Sequence, residues 1–532
     1  MVTRLSSVSY IRKYTVFPRS KPSLDLTLIL ASNLFAHYLL DMAALLFYGF
    51  GVLCLFCLYF VQSAVHNLLL HPFRKLPGPR LARISRIWTR HANLKGLRYM
   101  KIHQAHEQYG PVVRIGPNEL SFADPSVIRE IYMASTFQKE ESFYFSKRGY
   151  EEEHLFSFRN PEAHNQRRKL LSRGYSQQSV LGVEHEISNK LQILLDRFAM
   201  EATNTGVVDV HFWVHLLSFD IVYRLLFGED PKSLESGGEH RVLSYLRAWR
   251  PIFIYKEFWP QLEKYGIYLP GGLGDNFRKV KEWKEYSVDL IRRSRQNGVV
   301  TPFFHSVLYG EKDGYLNRPL TDSELAEECM SGMFGGTGTT ANTFVFLLWA
   351  TLRHKEVASK LKAELKSAFP DPKAMPDHQS CSRLPYLQAV INETLRMYPT
   401  IVAMLPRTAM RDSVVAGVPI PKGTVIGIQN YTIHRWEPAF PDPERFDPER
   451  WFDETHANQR KEAFVPFSVG ARRCIGMNLA QMELNKLVAA FFLRFDASID
   501  PSMRPEDMRM FDSFSAGPVG RKLLLQLKES SA

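Results

Sequence analysis

Residues 42–61, MAALLFYGFGVLCLFCLYFV, run for twenty positions without a charged side chain. As a helix rising ~1.5 Å per residue, such a run covers the ~30 Å hydrocarbon core of a bilayer. A cleaved signal peptide would carry a shorter apolar stretch nearer the start, with a small-residue cleavage site, and that pattern is not seen. A second apolar stretch, Leu26–Leu40, would reach only ~22 Å as a helix. Asp41 separates it from the first, so it is expected to lie in the interface or to enter as half of a hairpin. Arg4, Arg12, Lys13, Arg19 and Lys21 precede the span, while Arg74, Lys75, Arg80, Arg83, Arg86 and Arg90 follow it. Orientation is therefore barely decided by the positive-inside rule, although a hairpin would leave both ends in the cytosol. Past the span, Pro72, Pro77, Gly78 and Pro79 in HPFRKLPGPR prevent helix continuation and read as a hinge. The expected organisation is a membrane anchor over 1–65, a Pro-rich hinge over 66–95, and one aqueous body over 96–532.

The body needs a core, and 45% hydrophobic residues in a chain of 532 supply one. A net charge of +12 suits an anionic membrane surface or an acidic protein. The basic residues are scattered, without the aromatic-interleaved blocks that track phosphates, so nucleic acid is not an expected partner. Five cysteines, Cys54, Cys57, Cys329, Cys381 and Cys474, form no disulfide framework and fit a reducing compartment. No internal repeat is visible. VVRIGPNELSFADP alternates about a Gly-Pro turn as a β-hairpin does, TVIGIQNYTIHR looks similar, and helical periodicity dominates from about 180 to 400. The fold class is mainly α with small β-sheets.

One helix is delimited by its own chemistry. Thr321 and Glu324 form a capping box opening a run that continues to about Arg353. Ser331–Leu352 is uncharged and long enough to cross a membrane, but its centre holds Gly332, Gly335, Gly336 and Gly338 among Thr337, Thr339 and Thr340. Each interior glycine costs ~1 kcal/mol relative to alanine. A helix that accepts several lets something approach its backbone.

A lone cysteine is ordinarily an inert small hydrophobe. Cys474 is placed otherwise, because FSVGARRCIG (467–476) leads directly into the apolar-periodic IGMNLAQMELNKLVAAFFLRF. Its sulfur is expected at a helix N-terminus, where free N–H groups and the dipole favour a thiolate. Gly470 and Gly476 let the backbone fold tightly beneath a flat ligand, and Arg472 and Arg473 add positive charge for carboxylates.

On these residues the chain resembles the cytochrome P450 family, whose heme-binding signature F-x-x-G-x-R-x-C-x-G is matched by Phe467, Gly470, Arg472, Cys474 and Gly476. The resemblance covers about Leu76 to Leu527. It implies the mainly helical cytochrome P450 fold behind an N-terminal transmembrane helix, a heme iron ligated by the Cys474 thiolate, Phe467 packed near the sulfur and Arg472 on a heme propionate. A thiolate pushes electron density toward bound dioxygen, which is the reason to use cysteine there. By the same resemblance, Glu393 and Arg396, one turn apart in INETLRMYP, join Arg450 of FDPERW in a buried structural triad; Arg450 fits the longer pattern better than Arg445. His164 and Arg168, standing where the family often has Trp-x-x-x-Arg, and Arg407 after IVAMLP are further propionate contacts. Alone, each of these would pass for an ordinary surface charge.

The family's central helix carries A/G-G-x-D/E-T-T, and here Gly335–Thr340 has Thr339, the expected catalytic residue, but Gly338 in the acidic position. Thr337, Thr339, Thr340 and water could form the proton relay, or a substrate hydroxyl could contribute. Thr337 and Thr340 could equally be back-bonding to helix carbonyls. The expected activity is monooxygenation of a small hydrophobic metabolite, with phrases such as FPDPERFDPERW resembling fungal members that act on terpenoids or polyketides in secondary metabolism. Two alternatives stay open: a heme-thiolate isomerase or dehydratase, and a non-enzymatic heme protein. Ile401–Leu405, Phe334–Gly338, Phe143–Ser157 and Phe511–Pro518 are expected to line the pocket. The resemblance implies electrons from NADPH-cytochrome P450 reductase, with cytochrome b5 as a further partner, and the lack of a dinucleotide-binding glycine fingerprint in the sequence agrees with an external donor. Arg460, Lys461, Arg472 and Arg473 would face the acidic donor. The expected location is the endoplasmic reticulum membrane with the body in the cytosol.

Overall fold

The computed structural model describes residues 24–144, 152–299, 303 and 318–530. The basic residues ahead of Leu24 and part of the expected pocket segment Phe143–Ser157 lie outside these. The chain divides into two compact units, Met1–His71 and Pro72–Ala532.

The described residues of the first unit form one helix, Leu24–Val65, of 42 residues, followed by a five-residue π turn, His66–Leu70. The two apolar stretches expected to be separate are thus continuous, and Asp41 lies inside one helix. An isolated Asp costs a few tenths of a kcal/mol to about 0.7 kcal/mol in a helix, too little to break one flanked by Leu, Met and Ala. The apolar segment has a mean hydropathy of 2.3 and none of it is buried, which makes it a candidate membrane span. The helix stops where proline steric demand forces the preceding residue out of the helical region: His71 is extended at φ −61°, ψ 142°.

The expected hinge is shorter than 66–95, because from Pro72 the chain belongs to the body. Phe73 is buried, and the Arg114 N–H donates to the Pro77 carbonyl at 2.8 Å. The helices Arg80–Ile84 and Ile87–Leu94 follow immediately.

Among the described residues the body is helical with four small sheets. The expected hairpin is present, Val112–Gly116 pairing antiparallel with Glu119–Phe122 in the register Val113↔Ser121. It is the edge of a five-stranded mixed sheet that continues through Val425–Ile428, Arg407–Ala409 and Phe137–Lys139. TVIGIQNYTIHR supplies only one strand, Val425–Ile428, before turning into the short helix Asn430–Ile433. Its alternation fails as a hairpin because the buried Gln429 amide donates to the Tyr99 carbonyl at 2.9 Å, turning the chain inward.

Thr321 caps the central helix, Asp322–Arg353, with both bonds of the capping box present. Its C-terminal half is buried on all sides. Against it packs the apolar helix Val210–Phe227, which is long enough to cross a membrane by composition but is 78% buried in the core. The close approach is made by glycine: a Cβ at Gly332 would stand 2.8 Å from Leu226 Cδ1, and one at Gly336 2.8 Å from Val222 Cγ2. The helix Met477–Arg494, which follows Cys474, completes this core.

Candidate heme site

A cavity of about 380 Å³ in the body is bordered by the loop Pro466–Gly476 and by the middle of the central helix. Ile401, Ala403, Leu405, Phe334, Gly335, Phe143, Phe156 and Phe514 line it, as do Cys474, Phe467, Arg472, Gly476, His164, Arg168 and Thr339.

The loop is shaped by its own hydrogen bonds. Ser468 N–H donates to Val465 O at 2.9 Å, Arg473 N–H to Gly470 O at 3.1 Å and Cys474 N–H to Phe467 O at 2.9 Å. Gly470 sits at φ +70° with Met133 Cγ 2.8 Å from where a Cβ would be, so the turn there requires glycine. Gly476 is the N-cap of Met477–Arg494, which puts Cys474 just ahead of that helix. Cys474 is exposed, but toward the cavity it lines. Being deep among protein atoms pushes its thiol up, while the Gly476 N–H and the charges of Arg168 and Arg473 pull it back. Cys329 also borders the cavity, but it donates to the Leu226 carbonyl and burial raises it well above an ordinary thiol. Of these two thiols, Cys474 is the one exposed and with an N–H and two cations beside it that act against the rise burial causes.

Cations gather at one end. Arg472 donates to Phe158 O at 2.8 Å and Arg168 to Arg473 O at 2.7 Å. Lys139 and Arg407 are buried and stand directly opposite each other on paired antiparallel strands. Burial above all, and then the like charges of Arg472, Arg407 and Arg168, pushes the Lys139 ammonium well below its usual range. The buried His164 is held near 3 by burial and by Arg472 and Lys139, hence neutral. Arg407 lies one layer back, donating to the Tyr144 hydroxyl at 3.1 Å and stacked over Tyr132. Among the described residues these cations find carbonyls and a phenol rather than bonded carboxylates. A flat dianionic macrocycle with two carboxylates, bound through a thiolate, fits both the charge and the space. Lys139 escaped the sequence reading; only sheet pairing, which no local pattern reveals, brings it opposite Arg407.

The triad residues are together and buried. Glu393 accepts from Arg396 at 2.8 and 2.9 Å, from Arg450 Nε at 3.0 Å, from Trp451 Nε1 at 3.1 Å and from the Asp447 N–H at 2.9 Å. The Arg445 side chain takes no part, but its carbonyl accepts from both arginines. Arg396 also donates to His434 O, and the His434 imidazole, held near 3 by burial and so neutral, accepts the Val465 N–H at 3.1 Å. This links the triad to the cysteine loop.

On the central helix, Thr339 Oγ1 donates to Gly335 O at 2.7 Å. Gly338 faces away toward Ser515, whose Oγ would lie 3.6 Å from a Cβ there. Thr337 Oγ1 is buried and has no partner among the described residues. Of the four cations expected to face a redox partner, Lys461 and Arg473 are exposed, while Arg460 is buried against Asp453 and Arg472 borders the cavity.

A family model described as cytochrome P450 matches residues 77–525. The chain is 30% identical to cytochrome P450 monooxygenase orf2 of Aspergillus niger, over 88% of this chain and 95% of that relative. It is 29% identical to tryprostatin B 6-hydroxylase of Aspergillus fumigatus, over 82% and 77%, and 30% identical to cytochrome P450 monooxygenase stcB of Emericella nidulans, over 88% and 91%. The crystal structure of the cytochrome P450DA heme domain superimposes with a TM-score of 0.74 at 20% identity, covering 86% of this chain and 98% of that one, and shares its fold.

Proposed function

The chain belongs to the cytochrome P450 family, and we propose that it is a membrane-anchored member that takes electrons from NADPH-cytochrome P450 reductase, with cytochrome b5 as auxiliary donor, to oxidise a small hydrophobic fungal metabolite. It is an oxidoreductase, a heme-thiolate monooxygenase. The heme iron, when bound, supplies the oxygen-activating chemistry by which one atom of dioxygen enters the substrate and the other leaves as water.

In this reading Cys474 would hold the heme iron through its thiolate, the Gly476 N–H, Arg168 and Arg473 acting against the rise that burial causes. Phe467 and Gly476 border the bound group, and the turn at Gly470 sets the loop. Arg472, Arg168 and the neutral His164 would take the carboxylates, with Arg407 adding charge from the sheet and Lys139 a further donor. The Glu393–Arg396–Arg450 triad positions the loop through His434 and touches no reacting atom. Thr339, the catalytic residue, has its hydroxyl beside the cavity and can hold a water or pass a proton at Oγ1. With glycine at 338, that relay runs through hydroxyls and water rather than a carboxylate. The helix Leu24–Val65 anchors the chain in the endoplasmic reticulum membrane with the body in the cytosol, where Lys461 and Arg473 meet the acidic donor. The substrate is read as a terpenoid or polyketide.

The observation that carries this reading is the single cavity shared by the Cys474 thiol, the cation cluster and the glycine-thinned centre of the central helix. Incubating the full chain with the reductase, NADPH and fed scaffolds should couple NADPH and dioxygen consumption to an oxygenated product. Rearranged or dehydrated product without either being consumed would replace it by the isomerase or dehydratase reading.

A further inference from the structure

One wall of the cavity is built from aromatic rings. Phe514, on the loop between the strands Met510–Phe511 and Gly517–Pro518, lies with its ring centroid 5.2 Å from Phe334, 5.5 Å from Phe156, 6.2 Å from Phe253 and 6.3 Å from Phe143. Trp249 closes the group, 4.7 Å from Phe334 and 5.3 Å from Phe253. Five separate stretches of chain converge in these six rings, and all six border the cavity. Phe156 keeps 36% of its surface accessible there.

Phe514 is held in place by its backbone. It sits at φ +77°, a left-handed conformation that a residue with a side chain seldom adopts. Its N–H donates to Asp512 Oδ1 at 3.0 Å, and Ser513 Oγ donates to Ser515 O at 2.8 Å. Asp512 N–H reaches Gly96 O at 3.0 Å, Arg250 reaches Asp512 O at 3.0 Å, and Ala516 N–H reaches Thr400 O at 2.7 Å. Leucine at 514 would supply apolar surface in the same backbone conformation. What rings add is a quadrupole, negative on the face and positive at the edge, which rewards another ring in edge-to-face or offset contact beyond its area.

We infer that Phe514 and the rings around it are a recognition site for an aromatic ring of the substrate, so that among the hydrophobic metabolites proposed above the chain selects arene-bearing over saturated ones. This rests on the monooxygenase reading of the same cavity and narrows it, favouring aromatic scaffolds over saturated terpenoids.

Biphenyl, cyclohexylbenzene and bicyclohexyl have equal carbon counts and lose one aromatic ring at each step. Burial of apolar surface alone favours the saturated member, which is the most water-averse, so the inference and the hydrophobic effect predict opposite orders. Titrating the full-chain holoenzyme with each probe and following the Soret band gives three dissociation constants. The biphenyl-to-bicyclohexyl affinity ratio, compared between wild type and variant, cancels partitioning of the probes into lipid. Each ring contact is worth about threefold to tenfold in affinity. The expected result is tighter binding of biphenyl by wild type, a ratio about threefold or more lower in Phe514→Leu, and its retention in Phe514→Tyr. Phe156→Leu should lower it as well, which covers the case of a Phe514→Leu chain that does not fold. A wild type that binds bicyclohexyl as tightly as biphenyl, or a ratio unmoved by both leucine variants, overturns the inference. The carbon monoxide spectrum of the same samples separates the levels: a normal band without aromatic preference removes this inference alone, whereas a missing band removes the site reading beneath it.

Discussion

At the residue scale, the site is a set of charges whose partners are mostly far away in sequence. Glu393 shows the consequence most directly. Its carboxylate is wholly buried, as is Arg396, and Arg450 nearly so. Glu393→Gln leaves two buried guanidiniums without their anion, and breaking such a pair costs about 3–5 kcal/mol. Urea unfolding should show that loss together with impaired heme retention; a midpoint unchanged from wild type would mean that the triad does not hold the loop. Glu483, on the helix after Cys474, makes a second case. It is buried, its Oε2 has no partner among the described residues, and burial pushes its carboxyl up to about 8. The unfolded carboxyl ionises near ~4.3. Between those values the folded chain keeps a proton that the unfolded chain has lost, so stability falls as pH rises, by about 1.4 kcal/mol per unit for this group. The stability of Glu483→Gln should gain on wild type by that slope from pH 6 to pH 8. Parallel pH profiles for the two proteins would contradict it. Cys474, Arg472 and Thr339 were legible in sequence because their spacing is local. Lys139 and Glu483 were not, since a lysine in a three-residue strand or a glutamate inside an apolar helix gains meaning only from what packs against it.

At the scale of elements, the central helix was readable to within a residue because a capping box and an uncharged run are written in order along the chain. Which way each of its glycines faces was not, because that depends on the neighbouring helix. The same substitution tests this with opposite signs. A Cβ at Gly336 meets the stiff Val222 side chain at 2.8 Å, whereas one at Gly338 meets only Ser515 and Asn342 at 3.6 Å and beyond. Gly338→Ala should stabilise the protein by up to ~1 kcal/mol through helix propensity. Gly336→Ala should lose that gain to overpacking that costs typically about 1–3 kcal/mol. Thermal midpoints that move in the same direction for both would refute the packing described. The segment TVIGIQNYTIHR misled for a related reason: period-two alternation marks a strand, but the buried Gln429 amide, tied to the Tyr99 carbonyl, ends the strand halfway.

At the scale of the whole molecule, the sequence distinguished a long apolar N-terminal segment from a catalytic body but placed their border too late. Phe73 and the Pro77 carbonyl are already part of the body. Deleting 1–71 should therefore release the chain from membranes and preserve its folded spectrum. Deleting 1–79 removes the buried Phe73 side chain, worth about 1.5–3 kcal/mol, and should lower the thermal midpoint; equal midpoints for the two truncations would restore the longer hinge. The proposed function depends on one bond, from the Cys474 sulfur to iron, and one spectrum reads it. The reduced carbon monoxide complex of the full chain should give the red-shifted Soret band of a heme with a trans thiolate, and Cys474→Ala should abolish it. A wild-type chain without that band, or a Cys474→Ala chain that keeps it, would contradict the account.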